Sequence, residues 1–165
     1  MTDASTPESL VKARLIAVTL DAASIGRSNP NVDHEREVAI YDLIDDNSFK
    51  LEGRDDGPYR LELAVSEDRL LFKVANEVEA HLITHYVPIS ALRRILKDYF
   101  IVLDSYYQAV RNAQPSRIQA IDVGRRGLHD EGGQLLIDRL AGKIEFDFET
   151  ARRLFTVIAA LHWKG

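Results

Sequence analysis

The fold is decided by residues 59–87, YRLELAVSEDRLLFKVANEVEAHLITHYV, where apolar and polar side chains alternate in successive stretches. A period of two is typical of strands that bury one face, and it predicts strands over 59–65, 69–74 and 78–87. The links between these strands are too short to hold crossover helices. The region therefore predicts an antiparallel meander.

Towards the N-terminus, the sequence predicts a strand over 15–20, a polar loop over 21–29 and a helix over about 32–45, with Pro30 in its first turn. Towards the C-terminus, Pro88 marks the change from strand to helix, and Ser90 is the expected N-cap. Apolar residues at spacings of three and four then predict a long central helix over about 90–113.

The last third of the chain is predicted to be helical. A helix opens near Pro115, weakens at Gly124 and Gly127, and weakens again at Gly132 and Gly133. Asp147 is expected to cap a last, strongly apolar helix. Strands followed by helices indicate an α+β fold, here an antiparallel β-meander packed against a mainly C-terminal set of α-helices.

Length and composition narrow the functional classes. The chain has 165 residues, which fits one domain, and a formal net charge of −5. Its first residues are rich in serine, threonine, aspartate and glutamate, which predicts a disordered lead-in over 1–12 and a single α+β domain over 13–165. An acidic balance argues against a generally basic nucleic-acid coat protein. The sequence has no cysteine, which excludes disulfides and thiolate catalysis. No apolar stretch is long enough to span a membrane, so we expect a cytoplasmic location.

Catalytic motifs do not stand out. His81 and His85 have the four-residue spacing of a helical zinc pair, but on a strand they lie roughly 13 Å apart. One zinc ion cannot take ligands at about 2 Å from both. The sequence has no nucleophile elbow, phosphate-binding loop or dinucleotide-binding glycine triplet. We therefore predict no metal, no cofactor and no catalytic residue, and the balance is against an enzyme.

Two basic segments suggest an alternative function. Arg27 lies in a loop before a helix, where free backbone N–H groups favour anions. Arg125 and Arg126 lie between two glycines, a pattern with which some loops grip a nucleic-acid backbone. With His129 close by, this predicts a Gly124–Gly127 arginine turn that binds a phosphate-bearing ligand, a nucleotide or RNA. The predicted ligand-binding set is Arg27, Arg125, Arg126 and His129.

The same glycines allow structural interpretations. Gly127 can be a helix C-cap, with the arginines at the negative end of the helix dipole. Alternatively, Ala120, Gly124 and Gly127 can form a small-residue face on which another helix packs closely. A further hypothesis is an enzyme whose site forms only in the folded chain, from His34, Glu35 or His129 in a cleft.

The aromatic residues of the central helix favour a different function. These residues cannot all face one side of a helix, so some rings are expected to reach a second surface; they are Tyr99, Phe100, Tyr106 and Tyr107. Exposed aromatic rings are typical of protein interfaces. The preferred hypothesis is a non-enzymatic binding or interaction module with a protein partner or a second copy of the chain.

Several blocks together resemble a known family over about residues 14–163. They are Ser24-Ile25-Gly26-Arg27, His34-Glu35-Arg36, Gly57-Pro58-Tyr59, Lys97-Asp98-Tyr99-Phe100, Gly124-Arg125-Arg126-Gly127-Leu128-His129 and Thr150-Ala151-Arg152-Arg153-Leu154-Phe155. As a set they resemble a bacterial family of uncharacterised proteins, the UPF group numbered 0262, of alphaproteobacterial type. The resemblance implies a small intracellular bacterial protein and transfers no catalytic residue, cofactor or ligand.

Overall fold

A mixed four-stranded sheet organises the part of the chain that the computed structural model describes, residues 12–25, 30–112 and 114–162. Its strands are β1 (Leu15–Leu20), β3 (Tyr59–Ser66), β4 (Arg69–Ala75) and β5 (His81–Pro88), in the order β1-β3-β4-β5. Strands β3 to β5 are antiparallel neighbours, which confirms the meander, and β1 runs parallel to β3. A separate short ribbon pairs β2 (Lys50–Leu51) with β6 (Ile144–Glu145).

The helices confirm the α+β class. They are α1 (Ala22–Ile25), α2 (Pro30–Asp45), α3 (Ile89–Arg111), α4 (Pro115–Leu140) and α5 (Phe148–His162). Helix α5 lies against both α2 and α4, and α3 lies against α4. In α5, Leu154, Phe155 and Ile158 are fully buried, because the wide apolar face of this helix meets neighbours on several sides.

The two faces of the sheet differ as the alternation predicts. Leu61, Leu63 and Phe72 point into the core and are almost completely buried. On the opposite face, Glu62 is opposite Lys73 in the strand register, and their charged ends form an ion pair of 3.7 Å. One face of the sheet therefore carries the core, and the other carries partly exposed charged residues.

Two boundaries differ from the sequence prediction. The last strand begins at His81 instead of 78, because the Asn76 side chain accepts hydrogen bonds from the backbone N–H groups of Val78 at 3.1 Å and Ala80 at 2.9 Å and closes a turn there. Ser90 is not the N-cap of α3, because β5 runs directly into the helix and Pro88 occupies the cap position. The polar loop after β1 also contains a helical turn, α1.

Helix α4 is the largest correction. It runs without interruption from Pro115 to Leu140, so Gly124 and Gly127 lie inside a helix. The prediction of an arginine turn at these glycines is wrong, and so is the prediction that Gly127 is a C-cap. Neighbouring helices α3 and α5 pack along α4 and offset the low helix propensity of glycine.

The cap of α5 is confirmed. The backbone N–H of Thr150 donates a hydrogen bond of 2.8 Å to Asp147 Oδ1. Burial acts to raise the pKa of Asp147. Hydrogen bonds from the side chain and the backbone N–H of Thr150 outweigh it and hold this pKa below its usual value. The predicted lead-in lies outside the described residues except for Lys12, as does the segment 26–29 that contains Arg27.

Candidate functional site

The predicted site residues Arg125, Arg126 and His129 lie on one stretch of α4. Both arginines pair with the carboxylate of Asp122 one turn earlier, Arg125 at 3.3 Å and Arg126 at 3.0 Å. The guanidinium of Arg125 also lies 5.1 Å from the ring centre of Tyr106 on α3. Both arginines therefore already have an acidic partner within the chain, and Arg125 has an aromatic partner as well.

His129 forms the centre of a small polar cluster between α3 and α4. Its Nε2 shares a hydrogen bond of 2.9 Å with the hydroxyl of Tyr99, and the two ring centres are 5.2 Å apart. The ring of Phe155 on α5 stands edge-on to both. Tyr99 is the one aromatic residue of α3 that the described chain buries, so its hydroxyl needs such a partner.

The protonation states of this pair follow from its surroundings. Burial, followed by the positive charges of Arg125 and Arg152, lowers the pKa of His129 to about 4. Burial raises the pKa of Tyr99 to about 12. Both groups are therefore neutral at neutral pH. General acid–base catalysis needs a group whose pKa lies near the working pH, so this pair favours a structural role.

Of the two other residues in the enzyme hypothesis, one approaches the cluster. Glu35 on α2 accepts a hydrogen bond of 3.2 Å from the hydroxyl of Tyr107. Burial, and then the Glu35 carboxylate, raises the pKa of Tyr107. His34 is exposed on the surface of α2. The structure thus brings Glu35, Tyr107, Tyr99, Arg125 and His129 to one side of the molecule, on three different helices.

Neither of two hollows formed by the described residues is lined by Arg125, Arg126 or His129. A hollow of about 250 Å³ lies instead on the outer face of the sheet, between β1, β3, β4 and β5. Three of the charged groups in that hollow already have partners, since Lys73 pairs with Glu62 and Arg60 Nε donates to the carbonyl of Glu77 at 3.1 Å. None of Arg125, Arg126 and His129 lines it.

Sequence reasoning missed a buried arginine. Arg36 is 6% exposed, and it donates hydrogen bonds of 3.1 Å and 3.0 Å to the carbonyls of Ala160 and Leu161 at the end of α5. A cation at this end of a helix also suits the helix dipole. The signal was present in the sequence, because Arg36 falls on the same helical face as Val32, Ala39 and Leu43.

The outer half of the α3–α4 pair has an unusual burial pattern. We call this part, residues 104–112 of α3 and its cap together with 114–127, the helical arm. Ala109 is the one residue of the helical arm, among those described, that is buried. Yet its apolar side chains are numerous, and they include Val110, Ile118, Ile121 and Val123.

Comparison with known proteins identifies relatives along nearly the whole chain. Residues 12–164 match the model of the Uncharacterised protein family (UPF0262). The chain belongs to this family. It is 57% identical over 152 residues to a UPF0262 protein of Rhodopseudomonas palustris strain BisB5, covering 92% of this chain and 93% of that protein. A UPF0262 protein of Nitrobacter winogradskyi is 55% identical and covers 92% of this chain and 91% of its own length.

A further UPF0262 protein, from Rhodopseudomonas palustris strain BisA53, is 53% identical over 100% of both chains. No solved structure matches the chain. Within the described residues, no helix has the length and apolar character needed to cross a membrane. The described part of this UPF0262 chain also contains no group of three or more histidine, aspartate or glutamate side chains placed to hold a metal ion.

Proposed function

We propose that this chain is a non-enzymatic protein-interaction module and that the helical arm is its contact element. The observation that carries the proposal is the burial pattern of α4. Between Pro115 and Glu131 no residue is buried by the described chain, whereas Gly132, Gly133, Leu136 and Leu140 are. Half of a long helix therefore extends past the core with its apolar side chains in partial contact with water.

Two helices alone bury only the line along which they touch. In the helical arm, Ile118 and Ile121 are half-buried at that line, while Val110 is 46% and Val123 65% exposed. Burial of apolar surface contributes roughly 25 cal/mol per Å² to stability, so a complex in which a partner covers these side chains would be stabilised by their burial. A group of exposed apolar residues on one element is typical of an interaction surface.

Phosphate or nucleic-acid binding has less support. Arg125 and Arg126 share the carboxylate of Asp122, so an incoming phosphate would compete with an existing partner for both. The neutral imidazole of His129 adds no positive charge at neutral pH. Arg27 lies outside the described residues. The proposal keeps the cytoplasmic location that the sequence predicts.

Site-directed photo-cross-linking in growing cells tests this function. A photoreactive phenylalanine analogue replaces Val123 on the helical arm, and a matched variant carries it at Val78, which is 80% exposed on the turn between β4 and β5. We expect covalent protein adducts above the 18.6 kDa chain from position 123 and none from position 78. Absence of adducts at position 123, or equal adducts at both positions, would contradict the proposal.

A further inference from the structure

Helix α2 carries a second exposed patch, and its charge is opposite to that of the helical arm. Tyr41 is 70% and Val38 42% exposed, and at 100° per residue they lie on one helical face. Glu37 and Asp42 border this face on its two sides, and both are exposed. The one lysine or arginine of α2, Arg36, is buried against α5. We call this surface the acidic patch.

The helical arm presents a matching surface. Ala120, Val123, Gly124 and Gly127 share one face of α4, and a Cβ added at either glycine would meet no described atom within 4 Å. This face is flat, because three of its four residues are small. Arg117 and Arg126 border it on its two sides, and both are exposed. Arg126 is partly neutralised by its 3.0 Å ion pair with Asp122, so Arg117 contributes most of the positive charge. We call it the basic patch.

Charge is separated between these two elements. The helical arm contains four arginines and two aspartates, whereas α2 contains five acidic residues and a single arginine. Opposite charges steer two surfaces together and fix their register, and each patch repels a second copy of itself. Of these two surfaces, the one that each patch complements in charge is therefore the other patch.

The two patches belong to elements of the same molecule that touch each other. The hydroxyl of Tyr107 in the helical arm donates a hydrogen bond of 3.2 Å to Glu35 of α2. In a pair of molecules related by a two-fold axis, every contact occurs twice with the roles exchanged. One molecule can then offer its basic patch to its partner's acidic patch and receive the partner's basic patch on its own.

We propose that the partner of the helical arm is a second copy of this chain, bound in this reciprocal way. Tyr41 of one copy lies on the flat face at Gly124 and Gly127 of the other, where its ring covers Val123. Glu37 and Asp42 lie near Arg117 and Arg126. This inference rests on the proposed function, because it names the occupant of the arm. A stable pair would bury about 800 Å² on each molecule.

Charge reversal in the full-length chain tests the proposal. Sedimentation equilibrium at low salt is expected to give twice the chain mass of 18.6 kDa for the natural sequence. The double variant Arg117→Glu/Arg126→Glu places acid against acid twice in the pair. The double variant Glu37→Lys/Asp42→Lys places base against base twice. We expect each to associate on the order of 100-fold more weakly.

Mixing the two double variants is the decisive measurement. In the mixed pair, the reversed arm meets the reversed α2, and the two unreversed surfaces meet each other. Both contacts then regain opposite charges, so the mixture should recover the mass of a dimer that neither variant forms alone. Circular dichroism of each variant should match that of the natural chain, since all four side chains are exposed.

Three results would overturn the reciprocal pair. They are a monomeric natural chain at low salt, a dimer that survives both reversals, and a mixture that fails to recover the dimer. Cross-linking separates this failure from failure of the proposed function. If position 123 gives adducts with other proteins while the chain is monomeric, the arm still binds a partner and only the second copy is excluded.

Discussion

The two halves of α4 place similar residues in different surroundings. Gly132 and Gly133 lie against α5, and a Cβ at Gly132 would overlap the Phe155 ring. Gly124 and Gly127, in the outer half, have open space at the same atom. The inner glycines are therefore needed for close packing of two helices. The outer ones have no packing role in the described chain, and this difference is what points to a second molecule.

Packing of its two halves keeps α4 a continuous helix despite its glycines. Glycine in a helix costs about 1 kcal/mol relative to alanine, and α4 contains four. Packing of the inner half on α5 stabilises the helix there. The outer half contacts α3 through the Arg125–Tyr106 pair, and the His129–Tyr99 pair lies where the two halves meet. The helix is thus well supported at one end and weakly supported at the other.

The largest effect is expected from Gly132→Ala. The added methyl group overlaps the Phe155 ring, which is fully buried and cannot move away without opening the core. Overpacking of this kind destabilises a protein by about 3 kcal/mol. Urea unfolding followed by circular dichroism should show a lower midpoint with an unchanged slope.

The matched control for that substitution is Gly124→Ala in the same helix. It makes the same chemical change where the described chain leaves space, so it should not lower stability. Equal losses from the two substitutions would mean that the contrast between the halves of α4 is wrong. A larger loss at Gly124 would mean that the outer half is the packed one.

Much of the fold could be predicted because local patterns decide it. The alternation over 59–74 is confirmed as β3 and β4, and the spacing of Leu92, Leu96, Tyr99 and Leu103 is confirmed as the buried face of α3. Glycine has no such local meaning. Whether Gly124 or Gly132 interrupts a helix depends on what packs beside it, and in α4 those neighbours are distant in sequence.

The second largest effect is a loss of stability at acidic pH caused by His129, which lies at the boundary between the two halves of α4. The pKa of this histidine is lowered to about 4 in the folded chain, against an ordinary value near 6.5. The unfolded chain therefore takes up a proton first as the pH falls. The contribution of His129 to the free energy of unfolding is therefore fully present above pH 6.5, and it is lost as the pH falls towards 4. At pH 5 the loss is about 2 kcal/mol.

A glutamine substitution isolates this contribution. His129→Gln has no group that titrates, so the difference in unfolding free energy between natural chain and variant should shrink or reverse as the pH falls from 7 to 5. Tyr99→Phe is the control, because it removes the hydroxyl partner while His129 stays buried, and burial is the main cause of the lowered pKa. A natural chain and a His129→Gln variant with parallel pH dependence would contradict this account.

The candidate site was less predictable than the fold. The sequence singled out Arg125 and His129, but their partners Tyr106 and Tyr99 lie on another helix. The neutralising Asp122 was within reach of sequence reasoning, since it precedes Arg125 by three residues and Arg126 by four in a helix. The prediction of a turn there concealed the relation, because such spacing brings side chains together only on a helix.

The smallest effect is expected at the outer glycines. Gly124→Ala and Gly127→Ala should each raise the free energy of unfolding by about 0.5–1 kcal/mol, since alanine restricts the unfolded chain and fits the helix. The gain should be clear in dilute protein, where the proposed pair is expected to dissociate. If Tyr41 of a second copy lies on these glycines, the same methyl groups must weaken self-association. If the variants are more stable than the natural chain at low concentration and form fewer dimers, the open half of α4 binds a partner. If their gain in stability is independent of concentration, that half has no role in self-association.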